Sequence, residues 1–272
     1  MERAEFPILA NKAHAAPSEF RPENLLREAR RQKGLATRDI PPVGVLDPDG
    51  DIVRHLRSSG RAQRSQDWAC YHSELYEFCI GEERFGIVGS AVGAPYAVLI
   101  AEQLFASGCR FLVSVTSAGQ IRRQAPPPYF VLIDRALRDE GTSYHYLPPA
   151  EFAAADPRLV AAAMAHASEA LTPIVQGAAW TTDAPFRETA AAIAAAETRG
   201  VLAVEMEASA LYAFAEAQTK PVLCFAHVTN QMARIEGDFE KGEAAGASAS
   251  LAVIAAAIRA WRGYADSSQS GR

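Results

Sequence analysis

Most features that would settle a function class at once are missing from this chain. Four cysteines in 272 residues, Cys70, Cys79, Cys109 and Cys224, form no CxxC pair and have no histidine at metal-ligand spacing. They imply neither a zinc site nor a disulfide framework, and read as reduced, mostly buried thiols. Positive charge is not in excess: 27 Lys and Arg against 32 Asp and Glu leave a net charge of −5. That removes the electrostatic case for a nucleic-acid partner. No uninterrupted apolar run is long enough to cross a bilayer, so no membrane partner is expected. The start, Met1-Glu2-Arg3-Ala4-Glu5-Phe6, lacks the basic-then-apolar layout of a secretion signal, and a cytoplasmic location is the expectation. The small-residue loop Gly89-Ser90-Ala91-Val92-Gly93-Ala94-Pro95 matches neither a dinucleotide fingerprint nor a Walker loop. Nothing calls for a cofactor or a metal, and there is no internal repeat.

What is present is an ordinary globular composition, 49% apolar and 22% charged, with length enough for one large α/β domain. Strand-like and helix-like segments alternate. Strands are expected at 43–46, 76–79, 85–88, 111–115, 129–135, 174–180, 201–204 and 222–228. Helices are expected at 22–33, 52–57, 96–107, 158–171, 188–199, 208–217 and 245–261, several of them closed by Gly34, Gly108 or Gly200. This order predicts a single α/β domain: a central mixed, twisted sheet flanked by helices. It spans residues 41–265, preceded by a proline-bearing extension (1–40) and followed by a disordered tail (266–272).

In such sheets ligands bind beyond the carboxyl ends of strands. Five polar clusters fall there: Ser90 to Gly93, Ser117-Ala118-Gly119, Thr181-Thr182-Asp183, Glu205-Met206-Glu207 and Thr229-Asn230-Gln231. Together they predict one composite site. Glu205 and Glu207 sit two apart at a strand end, so they point to opposite sides. One can turn inward to hold structure while the other faces a ligand. A carboxylate there can accept both hydrogen bonds of a vicinal diol, and Met206 offers a soft surface to the face of a sugar. Helix-start chemistry alone would also place Glu at this junction. Exposed N–H groups at Ser90 and Gly93, or hydroxyls and N–H groups around Ser117 and Gly119, suit an anion or a sugar oxygen. The loop Tyr144-His145-Tyr146 brings aromatics that can cover a planar base.

These clusters, in this order, resemble the nucleoside phosphorylase superfamily of uridine phosphorylase, hexameric purine nucleoside phosphorylase and the methylthioadenosine nucleosidases. The likeness covers roughly residues 43–260, and Arg138 to Tyr146 looks closest to the uridine phosphorylase branch. The resemblance implies a nucleoside phosphorylase-like fold and cleavage of the N-glycosidic bond of a nucleoside. Glu207 would bind the ribose hydroxyls, Met206 would line the sugar, and Glu205 would support the base side. Thr182, Phe186 and Arg187 would sit beside the base, with Phe186 stacking and Arg187 and Glu188 near its edge. It also implies a homo-oligomer, dimer or hexamer, in which His14 of the extension would reach a neighbouring site.

Two departures bear on the reaction. Where the family places an Arg before its phosphate-binding turn, this chain has Ser114, and its Leu46-Asp47-Pro48-Asp49-Gly50 lacks the family's nearby Arg until Arg54. A third Arg would be Arg61 or Arg64. Losing bidentate Arg contacts removes the strongest phosphate interactions available. The resemblance implies ribosyl transfer to inorganic phosphate; the missing arginines make hydrolysis by water an alternative, and a silent nucleoside-binding protein is another. Where purine enzymes use an Asp to protonate the base, this chain has Asn230, which can donate a hydrogen bond but no proton. A pyrimidine or oxo-base is favoured accordingly.

Overall fold

Capping chemistry decides where the elements begin and end. In the computed structural model, which describes residues 6–170, 172–232 and 236–269 (side chains to 265), the first helix α1 covers Pro22–Lys33. Proline opens it, and Gly34, at φ 66°, closes it by donating to the Arg31 carbonyl. Its Leu26 and Ala29 are fully buried against Ala69 and Ala106, so this part of the extension packs onto the body.

The body runs β1 (Val43–Asp47), α2 (Asp51–Ser58), β2 (Ala62–Arg64), β3 (Tyr76–Ile80), β4 (Glu83–Gly89), α3 (Ala94–Ala106) and β5 (Phe111–Gln120). It continues through β6 (Tyr129–Asp139), β7 (Phe152–Ala154), α4 (Pro157–Ala165), β8 (Ile174–Thr182) and α5 (Ala190–Thr198). The last elements are β9 (Val201–Glu205), α6 (Ala208–Gln218), β10 (Val222–Asn230) and α7 (Ala247–Gln269). All the strands belong to one mixed sheet. β5 pairs in parallel with β1 and β10 and antiparallel with β9, while β10 is antiparallel to β6, and β6 and β8 run parallel into β9. Strands β5, β10, β6, β8 and β9 thus close on one another. β1, β4, β3 and β2 continue outward from β5.

The expected mixed α/β fold is therefore the observed one, with differences that have local causes. β5 does not turn at Ser117; it extends to Gln120 because β10 pairs with it through Asn230 opposite Gly119. The helix expected from 158 starts at Pro157, capped by Asp156, whose carboxylate accepts from Arg158 N at 2.8 Å, and it ends at Ala165. Residue 171, its expected end, lies outside the described residues. The helix expected from 188 begins at Ala190, because the Thr189 hydroxyl caps it by accepting from Ala192 N. β2 and β7, three residues each, escaped the periodicity. Three of the four cysteines are buried, and Cys79 is exposed. Residues 1–5 and 270–272 of the expected extension and tail lie outside the described residues; the backbone of 266–269 continues α7.

That last helix also corrects the reading on apolar runs. The stretch Glu243–Ala265 is by length and composition apolar enough to span a bilayer, at mean hydropathy 1.4, because alanines carry the apolarity without a continuous run of large side chains. In its most apolar 18 residues slightly more than half (56%) are buried in the protein, and Trp261 stacks on Phe111 at 5.3 Å, so it covers the sheet as a core helix. On the other face Tyr212 of α6 is fully buried. Its hydroxyl donates to Ile133 O at 2.6 Å and accepts from Cys224 N at 3.0 Å, which fixes α6 over β6 and β10.

Candidate active site

β9 ends at Glu205 and α6 begins at Ala208, so Met206 and Glu207 turn the chain between them. Glu205 is the carboxylate turned inward. One of its oxygens accepts from the Thr181 hydroxyl at 2.5 Å, the other from the N–H groups of Glu207 and Ala208 at 2.7 Å each. It thereby satisfies two donors that the start of α6 would otherwise leave open. The lock extends further. Thr181 Oγ1 accepts from Ser209 N at 2.9 Å, and Ser209 Oγ donates to Glu140 at 2.9 Å, tying β8, α6 and the loop after β6 together.

Glu207 is turned the other way. It is 1% exposed; Oε1 accepts from Gly93 N at 2.7 Å, and among the described residues the buried Oε2 has no hydrogen-bond partner. Burial first, then the charge of Glu205, pushes its carboxyl well above the usual range. Glu205 is raised by burial too, but three donors oppose the rise there; at Glu207 only Gly93 N and the nearby Thr116 hydroxyl oppose it, so Glu207 is the more easily protonated of the two. A buried carboxylate oxygen with no partner, on a loop of small residues, is chemically poised to take a hydroxyl. Met206 beside it is half-buried.

Around the β1–α2 turn the arrangement is less expected. Asp49 lies against β5: its carboxylate accepts from both Ser117 N and Ser117 Oγ at 2.9 Å. The donor pair expected to take an external oxyanion thus holds an internal one. Asp47, buried, accepts from Val53 N and Gly50 N at the start of α2; burial, with Asp49 and Asp51 nearby, pushes it up to about 7. Lys241 donates to Asp51 at 2.5 Å and lies 3.7 Å from Asp49. Ser114, where the resemblance places an Arg, is 1% exposed, and its hydroxyl has no partner among the described residues.

His227 of β10 closes this corner. Its ring stacks on Phe130 at 4.4 Å, and burial and Lys241 lower its pKa to about 4, so it is neutral at pH 7. Gly246 makes room for it. At φ 82°, a Cβ there would stand 2.3 Å from His227 Cε1 and 2.7 Å from the Lys241 carbonyl. Gly246→Ala should therefore cost roughly 2–4 kcal/mol, combining left-handed strain with overpacking. Thermal denaturation checks it, and an unchanged midpoint would refute the packing described.

On the opposite side, Gly119 lets Met232 approach: a Cβ on it would lie 2.5 Å from the Met232 sulfur. Asn230 is held in place, its side-chain oxygen accepting from Met232 N at 2.9 Å and its nitrogen donating to Thr229 Oγ1 at 3.2 Å. Met232 also lines a cavity of about 590 Å³ with Phe186 and Glu188, and burial raises Glu188 to about 7.

The structure brings Glu207, Glu205 and Gly93 together, and Ser117 with Asp49; Gly119 and Asn230 meet at Met232. Other candidates stand apart. Phe186 is 99% exposed on its cavity's rim, and Arg187 is exposed. Thr182 accepts from Ala184 N within its own turn. Ser90, at φ 61°, faces the cavity on the α2 side. His145 lines a separate cavity under the extension, with Lys12 Nζ 3.1 Å from its Nδ1. His14 lies 3.1 Å from the Tyr144 carbonyl of its own chain. Asp49, Lys241 and His227 were not singled out from the sequence. The only signal was the acid run Asp47, Asp49, Asp51, which reads equally well as a turn.

Comparison with known proteins gives the family and the fold. Residues 42–260 match the model of the phosphorylase superfamily. A uridine phosphorylase from Treponema pallidum (strain Nichols) is 26% identical over 140 residues, 50% of this chain and 52% of that protein. The chain thus spans about half the length of this curated relative. Among solved structures, uridine phosphorylase from Vibrio fischeri ES114 complexed with 6-hydroxy-1-naphthoic acid superimposes with TM-score 0.70 at 18% identity, over 84% of this chain and 93% of that one. Purine nucleoside phosphorylase from Toxoplasma gondii in complex with immucillin-H gives 0.69 at 16%, over 82% and 91%. At these identities the two structures speak for the fold.

Proposed function

This chain belongs to the phosphorylase superfamily, and from that premise we propose that it cleaves the N-glycosidic bond of a nucleoside, with water rather than phosphate as the attacking group. The observation that carries the choice of acceptor is Asp49 on Ser117. A carboxylate fills the donor pair that would cradle phosphate, with Asp47 and Asp51 beside it and Ser114 where a guanidinium would stand. Bringing a phosphate dianion to that position means displacing one anion and facing two others.

Glu207 would accept the hydrogen bonds of the ribose hydroxyls and, as the carbon–nitrogen bond lengthens, stabilise the positive charge growing on the sugar. The attacking water forms the new bond to the anomeric carbon, the base leaves with the bonding electron pair, and the water gives up a proton. Asp49, released from Ser117, would orient that water and take the proton. Glu188, raised to about 7 by burial, would supply a proton on the base side. The amide of Asn230 offers a hydrogen bond only, in keeping with an oxo-base such as uracil or hypoxanthine.

Incubation with uridine, inosine and adenosine, with and without inorganic phosphate, tests the reading. Release of free base and free ribose at the same rate in both buffers is the expected result. Release that requires phosphate and yields ribose 1-phosphate would establish the phosphorylase reaction instead. A nucleoside-induced thermal shift without base release would leave a binding protein.

A further inference from the structure

One cavity outside the carboxylate cluster has the opposite electrostatic character. It holds about 560 Å³ beside α2 and is lined by Lys33, Arg54, Arg57 and Arg64, together with Gly50 and Ser90. Its one carboxylate is Glu74, which pairs with Arg64 at 3.1 Å. Arg54 is paired with Asp51. Lys33 donates to the carbonyls of Ala69 and Cys70 at 2.9 and 2.7 Å, so its charge is held in place without an acid. Arg57 lies over the Tyr76 ring at 4.7 Å and has no carboxylate partner among the described residues. Four cations around one cavity, two of them without an acid, stand out in a chain whose net charge is −5. All four are exposed and two are already paired, so the pull they exert on an incoming anion is a screened one, strongest where it can reach Lys33 and Arg57 together. Guanidinium forks fit the oxygens of a phosphate, and the volume suits a small ligand.

The position narrows the ligand further. Ser90 belongs to the same loop as Gly93, whose N–H holds Glu207, and Gly50 follows Asp49 directly. The loop that holds Glu207 through Gly93 N thus also lines this cavity through Ser90. We propose that the cavity binds a phosphate group carried on the sugar of the substrate, making a nucleoside monophosphate the preferred substrate class. The inference rests on the reading of Glu207 as the sugar-binding residue. It also accounts for how a site that excludes phosphate from Ser117 keeps a place for phosphate nearby.

The test compares base release from uridine and UMP, and from inosine and IMP, in phosphate-free buffer, for the wild type and for Arg57→Ala/Arg64→Ala. For the wild type, kcat/KM should be at least roughly tenfold higher with the monophosphate, through KM. In the double variant that ratio should fall to near unity at an unchanged melting midpoint. Equal values for nucleoside and monophosphate in the wild type, or a ratio the variant leaves untouched, would overturn the proposal. So would inorganic phosphate accelerating release in a manner the variant abolishes, since the cavity would then hold the acceptor. Absence of base release from every substrate would count against the glycosidic reading. In that case thermal shifts by UMP and IMP decide for the cavity: shifts lost in the variant uphold it, and none in the wild type removes it.

Discussion

Replacing Glu207 by glutamine should stop turnover and at the same time make the protein more resistant to heat, increasingly so as pH rises. The amide oxygen can still accept from Gly93 N, so the loop contact at 2.7 Å survives. What is lost is the negative charge, carried as pH rises through the raised value, that faces the developing positive charge on the sugar; it is worth about 10²–10³ in rate for a well-placed group. The stability gain follows from linkage. The carboxyl of Glu207 is raised by burial and by Glu205, so between its ordinary value of 4.5 and the raised one the folded protein binds more protons than the unfolded chain. Stability is then lost as pH climbs through that window, and the deficit is complete above it. Glutamine has no such deficit. Each kcal/mol recovered is worth roughly 2–4 °C in a chain of this size. Melting midpoints of both proteins from acid to alkaline pH, beside kcat for base release, provide the check. A variant less stable at every pH, or one that keeps its rate, would remove Glu207 from the sugar site and make it a helix-junction residue.

Glu205→Ala should do the reverse: the fold fails before the chemistry does. The substitution leaves the Thr181 hydroxyl and the N–H groups of Glu207 and Ala208 without their acceptor in a buried place. Each buried donor left open costs about 1–3 kcal/mol. Removing the charge also relieves Glu207, whose carboxyl then moves down toward its ordinary value, but that gain offsets only part of three lost hydrogen bonds. A fall of roughly 10–20 °C in the melting midpoint is expected. Glu205→Gln, which keeps one acceptor, should fall between. A midpoint within a degree or two of wild type would show that the inward lock is not what holds α6 to β8 and β9.

The two carboxylates show how far the sequence could be read. Their spacing at a strand end gave opposite directions, since alternation is a property of the extended backbone. Which one turns inward is decided by Thr181 and Ser209, brought in from β8 and α6. The N–H groups of Glu207 and Ala208 are local, but Thr181, 24 positions away, reaches Glu205 only in the folded sheet. Ser117 makes the same point for the acceptor. Its hydroxyl and N–H were legible as an oxyanion site, but Asp49, 68 positions away, occupies them only because β1 and β5 are neighbours in parallel register. Phe186 marks the opposite limit. It was expected over a base and stands 99% exposed, because the turn at Pro185–Arg187 carries it to the rim.

The sequence by itself determined the alternation of strands and helices, the single domain and the clustering of polar residues at the carboxyl ends of strands. Each of these follows from periodicity and capping among near neighbours, which act over a few residues. The tertiary structure alone decided which polar groups are already occupied. Glu205 and Ser117 are satisfied from within the chain, while Glu207 Oε2 is left without a partner among the described residues. A hydrogen bond or an ion pair depends on distances of a few ångströms between residues far apart in the chain, and only the folded register fixes those.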